Sequence, residues 1–207
     1  MRHAVSFFAI LFISTICWAQ TDVPSDRPEQ KKRALEFDFF SPVFGNTTIG
    51  YEHYLGQGIA LEPKLGIIGL GTNIENQLGA FLKAGVKFNL QRTSDLSVDV
   101  QQYLLRGTYF KLEATGAMYR NTEPQLVEID ENNVVLEDVN QTDGGFVVQL
   151  ILGQQWVIHD VLVIDGFVGL GYGFSSDRDN YNYGYYLFDL DFPIAGSLGL
   201  SVGVLLP

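Results

Sequence analysis

Apolar side chains at every second position are the feature that most constrains how this chain can fold. Between Val161 and Ser175, and again between Phe192 and Leu206, one set of alternate positions is apolar and the other is largely small or polar. An amphipathic helix would instead repeat its apolar positions every three to four residues. Successive side chains of a strand point to opposite faces. Both segments are therefore predicted to be strands.

Six earlier segments alternate in the same way, and no strongly helical pattern competes with them. They span residues 35–40, 48–55, 59–67, 81–90, 110–119 and 146–158. Together with the two segments above, they predict an all-β chain of eight antiparallel strands.

The composition of the less apolar face decides what kind of barrel such strands would close. A soluble lipid-carrying barrel has an apolar interior and a charged exterior. An outer-membrane barrel turns its apolar face to lipid and keeps small and polar side chains inside. Here the second face is rich in Gly, Ser, Thr and Gln, with scattered charges of both signs. The sequence therefore predicts an eight-stranded antiparallel up-and-down transmembrane β-barrel over residues 34–207.

The residues before the barrel have the composition of an export signal and a linker. Arg2, the apolar run Phe7 to Ile16 and the small residue Ala19 predict a secretory signal peptide over residues 1–19. Residues 20–33 are polar and predict a flexible periplasmic leader. The single cysteine, Cys17, lies in the signal peptide, so a disulfide framework is excluded.

The lengths of the connections predict how the barrel is oriented. An even number of strands places both termini in the periplasm of a bacterial outer membrane. Short periplasmic turns are expected at Gly56-Gln57 and His159-Asp160, and long extracellular loops over residues 121–144 and 176–191. Residues 91–105 form a long periplasmic connection, either with a short helix capped by Ser94 or with a further strand through Val98.

Four sequence blocks resemble a known group of barrels. They are Asn46 to His53, Leu104 to Lys111, Gly153 to Val157 and Gly169 to Gly173. In these blocks the chain resembles the small outer-membrane β-barrel proteins of Bacteroidetes-type bacteria, many of which have no assigned function. The resemblance implies an OmpA-type eight-stranded barrel without catalytic residues to carry over.

Ten charged residues are expected to point into the barrel. They are Glu36, Asp38, Glu52, Glu62, Lys64, Lys83, Lys87, Lys111, Glu113 and Asp165. Because isolated charges are costly away from water, we expect either a salt-bridged plug or a narrow ion path. Counting residues across the connections places Glu62 opposite Lys87 and Lys83 opposite Glu113, and both pairs are expected inside the barrel within salt-bridge reach. It also predicts that Asp165 accepts hydrogen bonds from Gln155 or Ser201, since a buried carboxylate needs donors.

Several function classes are disfavoured by the sequence. The formal net charge of -11 argues against nucleic acid as a partner. Some eight-stranded barrels act on lipid A as hydrolases or acyltransferases, and these need a serine beside a histidine and a carboxylate. After signal removal only His53 and His159 remain, and neither has a serine near it on its strand or turn. We therefore expect no enzymatic activity, no cofactor and no metal site.

The long loop over residues 121–144 is the candidate recognition element. Two strand-like runs flank a turn at Glu131, which predicts a water-exposed hairpin whose acids would favour a basic partner. The acids of this hairpin are Glu128, Asp130, Glu131, Glu137 and Asp138. A solvated acidic loop is the other interpretation. The predicted function is a structural, surface-binding or adhesion role, with a small pore or carrier as the alternative. Expected partners are outer-membrane lipid, the outer-membrane assembly machinery and an extracellular protein.

Overall fold

The structure is a computed structural model that describes residues 31–70, 77–90, 104–130, 133–176, 181–182, 185–187 and 193–207. Its strands are β1 (Arg33–Asp38), β2 (Asn46–Gly56), β3 (Ile59–Ile68), β4 (Leu78–Asn89), β5 (Gly107–Asp130), β6 (Asn133–Ile158), β7 (Leu162–Ser175), β8 (Tyr181–Asn182), β9 (Tyr185–Leu187) and β10 (Ile194–Leu206). Within these residues, no helix has the length and apolar character needed to cross a membrane.

The strands close into one barrel. Each of β1 to β7 pairs antiparallel with the next, β10 pairs with β7, and β10 returns to pair with β1. The barrel wall therefore consists of β1 to β7 and β10, which confirms the predicted eight-stranded antiparallel up-and-down barrel. The short strands β8 and β9 lie between β7 and β10 in the sequence, and β9 pairs with β10 at Ala195 and Gly196.

The two ends of the barrel differ in their connections. One end, called the terminal end below, holds the start of β1 and the end of β10 together with the β2–β3, β4–β5 and β6–β7 connections. The opposite end is called the loop end. The turn after β6 has φ of 52° at His159 and 59° at Asp160. Two adjacent left-handed residues match the twist of a tight hairpin, so β7 follows after the short turn that the sequence predicts.

The last residues of the predicted leader join the barrel. Lys31 donates through Nζ to the carbonyl of Asp160 at 2.9 Å. Tyr54 donates its backbone N–H to the carbonyl of Lys32 at 2.7 Å, and β1 begins at Arg33. The predicted signal peptide, residues 20–30 of the leader and residues 91–103 of the β4–β5 connection lie outside the described residues.

Burial follows the alternation of the strands, with the polar face inside. Leu82, Leu112, Leu150 and Leu170 point outward and are each more than half exposed, whereas charged residues on the alternate positions are buried. Soluble proteins show the opposite distribution. Apolar side chains close the terminal end from inside. The buried cluster there consists of Ala34, Ala60, Leu105, Val157, Val163 and Leu205.

The β5–β6 hairpin continues beyond the barrel wall at the loop end. The last β4–β5 pair is Leu78 with Arg120, and the first β6–β7 pair is Gly145 with Ser175. Pairing between β5 and β6 nevertheless continues from Asn121 to the tip at Asp130. At roughly 3.4 Å per residue, this two-stranded arm is about 30 Å long.

Candidate functional site: the charged lumen and the hairpin

All ten charged residues predicted to face the lumen lie on inward positions of the wall. Nine of them are buried, and Asp38 is half-buried near the loop end. They come from β1, β2, β3, β4, β5 and β7. These strands therefore bring six carboxylates and four lysines into one lumen.

Glu62 is the centre of this network. Its carboxylate oxygens lie 2.7 Å from Lys111 Nζ, 3.1 Å from Lys64 Nζ and 3.5 Å from Lys87 Nζ. The side chain of Glu62 is fully buried. A single carboxylate thus neutralises parts of three ammonium groups that come from β3, β4 and β5.

The remaining acids pair with the same lysines. Lys64 Nζ lies 2.8 Å from Asp38 and 3.9 Å from Glu36. Lys87 Nζ lies 3.2 Å from Glu52 and 3.0 Å from Asp165. Lys111 also contacts Glu113 at 2.7 Å. Such multiple contacts are what buried charges require to remain ionised.

Lys83 differs from the other three lysines. Within the described residues, no carboxylate oxygen lies within 4.0 Å of its Nζ, which instead lies 5.5 Å from the centre of the Phe81 ring. The expected opposition of Lys83 and Glu113 is wrong, because Glu113 stands opposite Gly85. Glu62 also stands opposite Gly85 and not Lys87, although the Glu62 and Lys87 side chains still meet.

Asp165 has the predicted neighbours but other hydrogen-bond donors. Gln155 and Ser201 flank it in register on β6 and β10. Its carboxylate instead accepts hydrogen bonds from Tyr109 Oη at 2.8 Å and from Lys87 Nζ at 3.0 Å. The expected hydrogen bonds from Gln155 and Ser201 are therefore wrong.

Tyr109 is a lumen residue that sequence reasoning missed. Tyr109 lies on β5 and Asp165 on β7, with β6 between them. Tyr109 stands opposite Gly153 of β6, where a Cβ would overlap the Tyr109 ring. The absent side chain lets the phenol cross β6 and reach Asp165. An inward glycine opposite an inward tyrosine is the sequence pattern that could have predicted this contact.

Gln155 and Ser201 donate hydrogen bonds to other acids. Gln155 donates through Nε2 to Glu52 at 2.7 Å and to Glu36 at 3.3 Å. Ser201 donates through Oγ to Asp38 at 2.6 Å, and it accepts from Lys64 at 3.0 Å. These contacts fix the carboxylates at the wall and leave the lysines between them.

The carboxylates and lysines of the lumen are counter-ions to one another. Oxygens of Glu36, Glu62 and Asp165 lie within 4.8 Å of one another, as metal ligands would. However, Lys64 and Lys87 already contact these acids, and their charge would repel a cation. His53 and His159 lie elsewhere. His53 stacks on Tyr51 with ring centres 6.3 Å apart, and His159 lies exposed in the β6–β7 turn.

The lumen is layered from one end to the other. The apolar cluster fills the terminal end, the charge network fills the middle, and a cavity of about 470 Å³ lies toward the loop end. The Phe167 ring separates the last two layers, since Lys64 and Lys111 Nζ each lie 5.4 Å from its centre.

The acidic hairpin residues lie on the arm beyond the wall. Glu128 pairs in register with Val134, Asp130 with Asn133, Glu137 with Gln125 and Asp138 with Pro124. Glu131 lies outside the described residues. The acids therefore distribute along both strands of the arm, as a hairpin centred near Glu131 requires.

No family model matches the sequence, and no curated protein matches it. Among solved structures, the chain is similar to the N-terminal β-barrel domain of Pseudomonas aeruginosa OprF. The TM-score is 0.41 and 11% of residues are identical, over 86% of this chain and 98% of that domain.

Proposed function

We propose that this protein is a non-enzymatic outer-membrane barrel that presents a recognition hairpin at the cell surface. The observation that carries the proposal is the β5–β6 arm, which continues about 30 Å beyond the rim of a barrel whose middle and terminal end are filled by side chains. The wall anchors the chain, and the arm is the part that is free to meet a partner.

The exterior of the barrel supports the membrane location. Leu82, Leu150 and Leu170 lie on the outer faces of β4, β6 and β7, and each is exposed by 58% or more. An apolar exterior of this extent is unfavourable in water and matches lipid. With the terminal end in the periplasm, the arm stands on the extracellular side.

The lumen argues against the alternative of a small pore. An ion would have to displace the contacts between Glu62 and three lysines and then cross the apolar cluster at the terminal end. We expect no resolved single-channel conductance when the purified protein is reconstituted in a planar bilayer. A steady unitary current would support the pore instead.

The chemistry of the arm favours a basic partner protein. Residues 121–144 contain acids and no Lys, Arg or His. Complementary charge would attract a basic surface and disfavour anionic lipopolysaccharide. Beyond the wall, each strand of the arm has only the other as a partner among the described residues, so an outer edge is open to a further strand.

The test is removal of the arm. In the deletion variant, residues 121–144 are replaced by a short Gly-containing turn, which cuts no strand of the wall. A second variant keeps the arm but changes Glu128, Asp130, Glu137 and Asp138 to their amides. Cells producing each variant are compared for binding to whole host cells and to lysozyme as a basic probe protein.

Both variants are expected to retain heat-modifiable migration on gels, which reports a folded barrel. Binding should fall steeply for the deletion and partly for the amide variant, because the latter keeps the strand edges. Undiminished binding by a folded deletion variant would contradict the recognition role of the arm.

A further inference from the structure

Among the described residues, the barrel wall has a gap at the loop end of the β1–β10 seam. β1 pairs with β10 only from Ser201 to Leu206, and the next backbone hydrogen bond, from Phe39 N–H to the Leu200 carbonyl, is 2.8 Å long. β9 takes the same edge of β10 at Ala195 and Gly196. Within the described residues, Leu198 has no strand partner on this edge of β10, although alternation turns its backbone groups toward the gap. On the other edge of β10, Leu198 stands opposite Val168 of β7.

The cavity of about 470 Å³ lies at this gap. Its lining includes lumen residues, among them Lys83, Ser197 and Phe167. It also includes Val168, Leu170 and Leu198, which lie on the outer face of the wall. The cavity therefore joins the polar lumen to the apolar exterior, and its volume is that of a small-molecule site.

The inner end of the cavity carries donors suited to an anion. Lys83 has no carboxylate oxygen within 4.0 Å among the described residues, and its ammonium group would gain a charge-assisted contact. Ser197 is buried, and among the described residues its Oγ has no hydrogen-bond partner. Asp38 also lines the cavity, but Lys64 and Ser201 already donate to it at 2.8 and 2.6 Å.

The outer end of the cavity is apolar. Leu198 is exposed by 85%, the largest value among the large apolar side chains that the structure describes, and Leu170 is exposed by 63%. Leu198 lies on β10 beside the gap, and Val168 and Leu170 lie next to it on the outer face of β7, across β10 from the gap. A ligand that fits both ends has a single anionic group and a long apolar chain.

We propose that the cavity binds a fatty acid, with its carboxylate on Lys83 and Ser197 and its acyl chain passing through the gap against Leu198 and Leu170. One ammonium group and one hydroxyl match one carboxylate. The apolar outer end gives the chain a continuous path into the bilayer. This site rests on the proposed membrane location, but it does not depend on the β5–β6 arm.

The test is photo-crosslinking in liposomes that contain the purified full-length protein. The probe is palmitate with a diazirine midway along its chain, and hexadecanol with the same diazirine is the matched probe without a carboxylate. Mass spectrometry measures labelling at residues 168–170 and 196–200. Labelling at Leu150 and Leu152, which lie on the outer face of β6, measures ordinary contact with the bilayer.

Palmitate should label residues 168–170 and 196–200 more strongly than Leu150 and Leu152, and hexadecanol should label all of them equally. Lys83→Met should lower the enrichment about tenfold, as loss of a charged hydrogen bond implies, whereas Lys83→Arg should retain it. Heat-modifiable migration checks that both variants are folded.

Equal enrichment with palmitate and hexadecanol, or full enrichment in a folded Lys83→Met variant, would overturn the proposal. Absence of labelling at Leu150 and Leu152 would instead overturn the membrane location, and with it the site. Loss of surface binding on deletion of the arm is a separate result, so the two proposals fail in distinguishable ways.

Discussion

Carboxylates occur in two regions of this molecule under opposite conditions. In the lumen, Glu62 contacts three lysines, and Glu113 contacts Lys111. In the arm over residues 121–144, the sequence has no basic residue at all. A solvated carboxylate needs no partner, whereas a buried one is costly without it. The same residue type should therefore contribute to stability in the lumen and contribute little to it in the arm.

The largest expected difference follows from neutralising one acid in each region. Glu62→Gln leaves the charges of Lys64, Lys87 and Lys111 less compensated. Breaking a buried ion pair in this way should lower the free energy of unfolding by about 3–5 kcal/mol. Glu128→Gln in the arm should change it by less than about 0.5 kcal/mol. Urea unfolding in lipid vesicles, followed by gel migration, measures both, and equal effects would contradict the comparison.

A smaller loss is expected where the lumen contact is a hydrogen bond. Tyr109→Phe removes the hydroxyl that donates to Asp165, while Lys87 still contacts that carboxylate. We expect a decrease in the free energy of unfolding of about 1.5–3 kcal/mol. Tyr51→Phe on the outer face is the matched control, and a loss as large in this control would show that the phenol of Tyr109 has no special role.

Much of the fold could be predicted because side chains alternate between the inner and outer face in every strand of the wall. The alternation at residues 161–175 predicts which side chains of β7 are buried, including Asp165. The relative register of β3, β4 and β5 could not be predicted in the same way. It depends on connections around residues 69–77 and 90–106, whose lengths have no periodic signal, so Glu62 and Glu113 each face Gly85.

The partners of the lumen charges were harder to predict than their positions. Long lysine side chains reach acids on more than one strand, so register alone does not choose their partners. Lys87 contacts Asp165, which lies three strands away in the wall. The Tyr109 contact depends in addition on the missing side chain at Gly153. Counting residues between neighbouring strands accounts for neither effect.

Adding a methyl group distinguishes the crowded lumen from the exterior. Gly153→Ala places a Cβ against the Tyr109 ring, which could move only by leaving Asp165. Overpacking of this kind should lower the free energy of unfolding by about 1–3 kcal/mol. At Gly116 on the outer face of β5, a Cβ meets nothing within 4 Å. Gly116→Ala should therefore be neutral, and the same unfolding assay compares the two.

The smallest effect is expected from removing charge throughout the arm. The variant with amides at Glu128, Asp130, Glu137 and Asp138 should unfold within about 0.5 kcal/mol of the parent protein, since solvated surface charges contribute little. The measurement is repeated at low and high salt. If the amide variant is more stable than the parent protein at low salt but not at high salt, the acids of the arm repel one another strongly. The charge of the arm would then affect stability, contrary to this prediction.

The most direct test of the account asks which face of the wall meets lipid. Spin labels are placed singly at Leu82, Leu150 and Leu170 on the outer face, and at Gln141 at the base of the arm. Electron paramagnetic resonance then measures collisions with oxygen, which partitions into lipid, and with a water-soluble nickel complex. We predict that oxygen dominates at the three leucine positions and nickel at Gln141. Nickel accessibility at the leucine positions equal to that at Gln141 would contradict a barrel with its charges inside and lipid outside.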